Sequence, residues 1–239
     1  DILYARPAAG GHGTEEDFDD LFASAFAQTL AYGLLLAREG NATDLGFDAY
    51  DKLDGTVHPL LKVTLQALLQ PQVRDDLGTC LDVLLDTVNA VDPALMKRRN
   101  GYDPILYFYE DFLAVFDERM RTRYGVFFTP VKVVNYQVAA VDRALREELG
   151  TEGLLDERVL MLDPACGTGT YLISAAGAAA ESARAKYGEA SVANEIRSLA
   201  ERLFGFEILV GPYTVAHYRL HKELSNIGAR LASRLHVYL

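Results

Sequence analysis

The chain has 239 residues, half of them hydrophobic and 24% charged, which gives enough apolar material for a packed core and excludes global disorder. Its 34 acidic residues against 23 basic ones leave a net charge of −11, which excludes a stand-alone nucleic-acid binder, because neutralising phosphate needs a basic face. Two cysteines, Cys80 and Cys166, exclude a disulfide framework or a zinc knuckle, and the lack of any apolar run of roughly 18 residues speaks against a membrane span, so a soluble, cytoplasmic chain is expected.

In chain order, Gly10-Gly11-His12-Gly13 reads as a flexible lead-in. Thr14 can cap a helix whose first turn carries acids up to Asp17, where they favour the positive end of the helix dipole. Phe18, Leu21, Phe22, Ala25, Phe26, Leu30 and Leu34 follow at helical spacing and predict one core-facing stripe. Residues 40–57, rich in Gly, Asp and Asn, read as a long connection. His58-Pro59 opens a second helix with proline in its first turn, and a third is expected over 74–89. The basic, polar stretch Lys97-Arg98-Arg99-Asn100-Gly101 marks the candidate boundary between an all-helical region, 1–100, and a second domain, 101–239. The charge is uneven across it: residues 1–100 carry 16 acids and 8 bases, residues 101–239 carry 18 and 15.

Asp103-Pro104 opens a helix over about 105–123 with an aromatic face that includes Phe108, Tyr109, Phe112 and Phe116. Arg119, Arg121 and Arg123 near its end read as solvated, with DNA phosphate as the alternative contact. Thr129 is a natural N-cap and Pro130 a natural first residue for a helix that runs to about Glu148 and stops at Gly150. The pattern then changes. Val159–Leu162 is a short apolar strand leading into Asp163-Pro164-Ala165-Cys166-Gly167-Thr168-Gly169-Thr170. Helices follow at about 171–186 and 190–203, then a strand, Leu203–Ile208, containing Glu207. Gly211-Pro212 opens a helix to about Leu224, and His236–Leu239 begins a third strand. Alternating strand and helix is the pattern of an α/β fold with a doubly wound parallel sheet. Only its first half is expected here, preceded by the all-α region.

In open parallel sheets, ligands bind beyond the carboxyl ends of the strands, where Asp163 and Glu207 are both expected. Gly167 and Gly169 allow the backbone to approach a ligand and to take positive φ. Amides at the start of the following helix can then face that ligand. A carboxylate at the end of the second strand suits a ribose diol, one hydroxyl donating to each oxygen. His217 and His221, four apart on a helix, could share a metal-binding face, but without a third ligand they read as a solvated helix face. Cys166 lies inside the glycine loop and reads as a small side chain packed against the sheet.

Asp163-Pro164-Ala165-Cys166-Gly167-Thr168-Gly169 resembles the first S-adenosylmethionine motif of amino-specific adenine DNA methyltransferases. Gly125-Val126-Phe127-Phe128-Thr129-Pro130 resembles the element that precedes it in that family, and Gly205-Phe206-Glu207-Ile208 is similar to the acid-plus-apolar motif that follows. The three occur in the family's order over roughly 105–239. The resemblance is strongest to the methyltransferase region of single-polypeptide restriction-modification enzymes, and it extends more loosely to 18–38 and 58–69. It implies S-adenosylmethionine as cofactor. Phe127, Phe128 and Thr129 would hold the amino-acid end, Asp163 would face the ammonium, and the Ala165, Cys166, Gly167, Thr168 and Gly169 loop would pass against the ligand. Glu207 would take the ribose hydroxyls, and Ile208 would pack on the adenine. DNA is the implied partner, through a target-recognition region outside this chain, with nuclease and motor domains possible in the same polypeptide and no membrane.

The family's catalytic tetrapeptide has two adjacent prolines that precede an aromatic holding the flipped base. None of the eight prolines here is adjacent to another. The expectation is therefore a piece of a longer enzyme that carries no catalytic residue and transfers no methyl group alone. An assay of labelled methyl incorporation into duplex DNA by these 239 residues is expected to give background counts. Two alternatives remain open at this point: a methyltransferase acting on a non-DNA substrate, and a helical coupling module with a vestigial cofactor site. A nicotinamide enzyme is a weaker fit, since the loop does not match GxGxxG.

Overall fold

A computed structural model of the protein describes residues 15–39, 41, 43–55, 59–96, 129–229 and 235–239. The expectations placed on Gly10–Thr14, His58, 97–101, the 105–123 helix, Gly125–Phe128, and the side chains of Phe18 and Leu21 lie outside the described residues. The chain divides into two compact units, one comprising residues 1–119 with 208–211 and the other 120–207 with 212–239.

The described part of the first unit is helical: α1 (Glu15–Glu39), a 3₁₀ turn (Ala49–Lys52), α2 (Pro59–Leu68), α3 (Pro71–Leu77), α4 (Thr79–Asn89) and a second 3₁₀ turn (Pro93–Met96). Leu30, Leu34, Leu61, Leu65, Leu81, Leu85 and Val88 form its core. Gly33 lets α1 approach α2, because a Cβ there would lie 3.1 Å from Leu65 Cδ1. The expected connection over 40–57 is tied down by side chains. The buried Arg38 donates to the carbonyls of Thr43 (2.9 Å), Asn89 (2.9 Å) and Val91 (3.1 Å). Asn89 pairs with both the N–H and the carbonyl of Leu45. These bonds satisfy backbone groups that a loop leaves without ladder partners.

Two expectations change here. The single helix over 74–89 is two, broken at Gly78, whose φ of +50° suits a residue without Cβ. The α1 stripe is also displaced: Phe22 is exposed, touching Phe26 at 6.4 Å between ring centroids, whereas burial is complete from Gln28 to Ala37. Helical spacing identifies a face but not where along the helix its partner begins.

The described part of the second unit opens on α5 (Val131–Glu147), which buries Val134 and Val138. Its N-cap is Pro130, one residue later than Thr129, and no side chain makes a capping bond. Gly150, at φ +63°, follows its end, and Thr151 returns both its N–H and its hydroxyl to the Leu145 carbonyl. After a 3₁₀ turn (Gly153–Leu155) come β1 (Met161–Asp163), α6 (Thr170–Tyr187), α7 (Glu189–Ala200), β2 (Leu203–Phe206), α8 (Val210–Asn226) and β3 (His236–Tyr238). The three strands are parallel in the order β1-β2-β3, with Asp163 opposite Gly205 and Gly205 opposite Val237. Parallel neighbours need crossovers, and helices supply both.

The unit's core lies between sheet and helices. Leu203, Gly205 and Val237 point into it beside Leu172, Ile196, Leu199, Leu220 and Leu224. Along α6, Ala175, Ala176, Ala179, Ala180 and Ala183 are buried, and these small side chains allow α5 and α7 to pack closely against it. On the opposite sheet face Leu162, Phe206 and Tyr238 are exposed; Phe204 stacks on His236 at 4.9 Å and Phe206 meets Tyr238 at 5.7 Å. Among the described residues, then, the sheet is covered on one face.

Candidate functional site

β1 and β2 run side by side in parallel, so their carboxyl ends open at the same edge. Asp163 is the last residue of β1, and Glu207 directly follows β2. The segment 164–169 leaves this edge and leads into α6. It is stitched to β2 by Cys166 N–H donating to Phe206 O (2.8 Å), and Glu207 N–H donates to Tyr238 O (2.9 Å), carrying the ladder one step past the strand ends.

Gly167 (φ +53°) and Gly169 (φ +78°) both take the left-handed conformation, and Gly169 is the N-cap of α6. Their surroundings differ. A Cβ on Gly167 would meet nothing within 4 Å among the described residues, so it borders open space there, whereas one on Gly169 would lie 3.3 Å from Ala216 Cβ and 3.4 Å from its Cα. Gly169 serves packing of the loop on α8, and Gly167 gives the loop its open side.

The two acids bracket this loop. Glu207 Oε2 accepts the Gly167 N–H at 3.0 Å. Asp163 Oδ1 accepts the Ala165 N–H at 3.3 Å, while its Oδ2 is buried with no hydrogen-bond partner among the described residues. Burial pushes the Asp163 carboxyl above its ordinary value, against the Ala165 N–H, which favours the charged form. An orphaned carboxylate oxygen of this kind suits a cationic or donor group, since a buried acceptor left unmade is costly. Cys166 is buried; burial first, and then the charges of Asp163 and Glu207, push its thiol up to about 12. It is therefore a neutral packing group with no nucleophilic thiolate at neutral pH.

Sequence reasoning missed three features. Gly205 has no room for a side chain, because a Cβ would lie 3.0 Å from Cys166 Sγ and 3.1 Å from Leu172 Cδ1. The buried Arg202 donates to the carbonyls of Asp156 and Val159, both at 2.7 Å, and fixes the turn that delivers β1. Arg219, buried on α8, reaches the glycine loop, as developed below. Its place at the i+4 position from Val215 and next to Leu220, on an apolar helix face, is a signal the sequence does contain.

The histidine pair resolves differently from the expectation of a solvated face. His217 is buried, with Nε2 3.1 Å from Val237 O and its ring edge-on to Tyr213 at 4.6 Å. A carbonyl only accepts, so Nε2 carries the proton. No group of three or more metal-ligating side chains occurs among the described residues. Burial, with a smaller contribution from His221, lowers the His217 pKa below 6.5. The unfolded chain then takes up a proton below about pH 6.5 that the folded chain refuses, so stability is intact above that pH and falls as pH drops towards the folded pKa. Chemical denaturation between pH 7 and pH 5 is expected to show this loss, and His217→Gln, which keeps a donor for Val237, is expected to flatten it.

Of the other expected site residues, Thr129 is half-buried, Ala165 is exposed, Thr168 is half-buried and Ile208 is exposed, while Phe127 and Phe128 lie outside the described residues. No described helix is long and apolar enough to cross a membrane.

A parallel-strand edge, a glycine loop, a helix N-terminus and two flanking acids thus come together in one α/β unit. Residues 101–227, more than half the chain, match the family of N-6 DNA methylases, and the chain belongs to that family. Among solved structures it is similar in fold to the DrdV–DNA complex determined by cryo-electron microscopy, with a TM-score of 0.63 and 20% identity over 90% of this chain and 19% of that one. It is also similar to the ATP-dependent Type ISP restriction-modification enzyme LlaBIII bound to DNA (TM-score 0.57, 17% identity, 95% of this chain and 14% of that one). A nuclease-deletion mutant of the Type ISP restriction-modification enzyme LlaGI, in complex with a DNA substrate mimic, gives 0.56 at 16% identity over 95% and 19%. The chain thus spans less than a fifth of the length of these proteins. No curated protein matches it in sequence.

Proposed function

We propose that this chain is the S-adenosylmethionine-binding part of a DNA adenine methyltransferase in a restriction-modification enzyme. The observation that carries this reading is the convergence of Asp163, Glu207 and the Gly167 N–H at one strand edge, with Glu207 reaching the loop across 40 residues of sequence. In this reading the three strands are the first half of a doubly wound sheet. Asp163, through the oxygen that has no partner among the described residues, takes the ammonium of the amino-acid end. Glu207 takes the ribose diol, the open side of Gly167 admits the ligand, Phe127, Phe128 and Thr129 hold the amino-acid end, and Ile208 offers an apolar surface to the adenine. The cofactor supplies a methyl group on a sulfonium, electrophilic enough for direct transfer to an exocyclic amine.

Family membership supports the reaction class, and the DNA complexes of the structural neighbours support DNA as the substrate. Their far greater length, and the nuclease and ATP dependence named for them, support a larger polypeptide with nuclease and motor parts. The net charge of −11 agrees with DNA being gripped elsewhere. Calorimetric titration of S-adenosylmethionine into the chain tests the reading: saturable one-to-one binding is expected, and no heat at millimolar cofactor would overturn it.

A further inference from the structure

We propose that Arg219 is the positioning residue of the glycine loop, locking the peptide between Thr168 and Gly169 so that the Thr168 N–H is aimed at the ligand. Arg219 is 8% exposed. Its Nη1 donates to Thr168 O at 2.7 Å and to Thr168 Oγ1 at 2.9 Å, from 51 residues further along the chain, and to Thr170 Oγ1 at 3.2 Å, from 49. The grip falls on the one residue between two left-handed glycines, the point where the backbone has the most torsional freedom.

The bonds around this point show what the grip controls. A trans peptide is planar, so fixing its carbonyl also fixes the N–H on its other side. The Thr168 carbonyl is held by Arg219, and the N–H of the same plane, on Gly169, donates to Cys166 O at 2.8 Å. The preceding Cys166–Gly167 plane is held through the Gly167 N–H on Glu207. Between these two fixed planes lies the Gly167–Thr168 peptide, whose Thr168 N–H makes no hydrogen bond among the described residues. This amide lies on the loop beside Gly167, the residue that borders open space. Arg219 therefore holds the peptide plane on one side of this amide as Glu207 holds the plane on the other, and α8 meets the same loop again through Ala216 against Gly169. All three bonds come from the one nitrogen Nη1, whose two N–H groups are shared among the three acceptors.

The part of this proposal that concerns ligand affinity rests on the cofactor reading above; the part that concerns the loop does not. Amide hydrogen exchange on the ligand-free chain tests the second. In Arg219→Gln the Gly167 and Gly169 amides are expected to exchange at least tenfold faster than in the wild type, with the β2 amides of Leu203–Phe206 unchanged. Arg219→Lys, the milder variant should the first not fold, is expected to fall between. Unchanged loop exchange, or equal acceleration in β2, would overturn the proposal, the latter by showing a merely structural brace. Titration with S-adenosylmethionine tests the first part: a roughly tenfold weaker Kd for Arg219→Gln, partly restored in Arg219→Lys, is expected. Wild-type affinity in both variants would remove the role in binding while leaving the cofactor site standing. Absence of binding by the wild type would remove the cofactor reading, and the exchange measurement would still decide the loop.

Discussion

Replacing Glu207 by alanine is expected to weaken S-adenosylmethionine binding by about tenfold to a hundredfold. Hydrogen bonds to a charged group contribute about 1.5–3 kcal/mol, and each factor of ten in affinity corresponds to about 1.4 kcal/mol. The diol accounts for part of this loss. The rest comes from the Gly167 N–H, which donates to Glu207 Oε2 at 3.0 Å and in the variant must find water or a new direction. Glu207→Gln separates the two effects. It keeps a carbonyl acceptor for one hydroxyl or for Gly167 but carries no charge, so its affinity is expected to lie between those of wild type and alanine. Glu207 is half-buried and outside the strand, so the unfolding free energy should fall by only about 1.5 kcal/mol, the lower end for one hydrogen bond to a charged group. Calorimetry and denaturation on the same samples check both numbers. Equal affinity of wild type and Glu207→Ala would remove the diol role.

The local signals of the second unit were legible in its sequence. The run before Asp163, the glycines at 167 and 169, and the acid at 207 each announce a strand end or a turn through steric and hydrogen-bonding rules that act over a few residues. The strands and helices fall within a few residues of the places read for them. What stayed hidden depends on contacts between distant residues. Nothing local marks Gly205 as the residue on which Cys166 and Leu172 rest, or His217 as the partner of Val237 O. Nor does helical spacing distinguish Phe22, which is exposed, from Leu30, which is buried, because both lie on the same periodic face. Nor does spacing mark the break at Gly78, because the flanking segments, 71–77 and 79–89, are each short enough to merge into one apparent helix.

The same distant contact predicts the largest loss of stability. Leu172, in the first turn of α6, is fully buried, and its Cδ1 lies 3.1 Å from the place where a Gly205 Cβ would be. It fills the space that the glycine leaves, so Leu172→Ala removes the side chain from a gap that β2 cannot close without breaking its pairing with β1 and β3. Buried leucine-to-alanine changes cost about 2–5 kcal/mol, the upper end applying where the surroundings cannot collapse, and the pairing of β2 on both sides places this site towards that end. Cofactor affinity should fall as well, although Leu172 is expected to touch no ligand, because the turn that carries it begins at Gly169 and the loop's bond from Cys166 N–H runs to β2. Urea denaturation is expected to show a midpoint shift at constant m-value. A loss well under 1 kcal/mol would mean that the sheet and α6 can close over the cavity, and that the packing of Leu172 on Gly205 does not hold the loop in place.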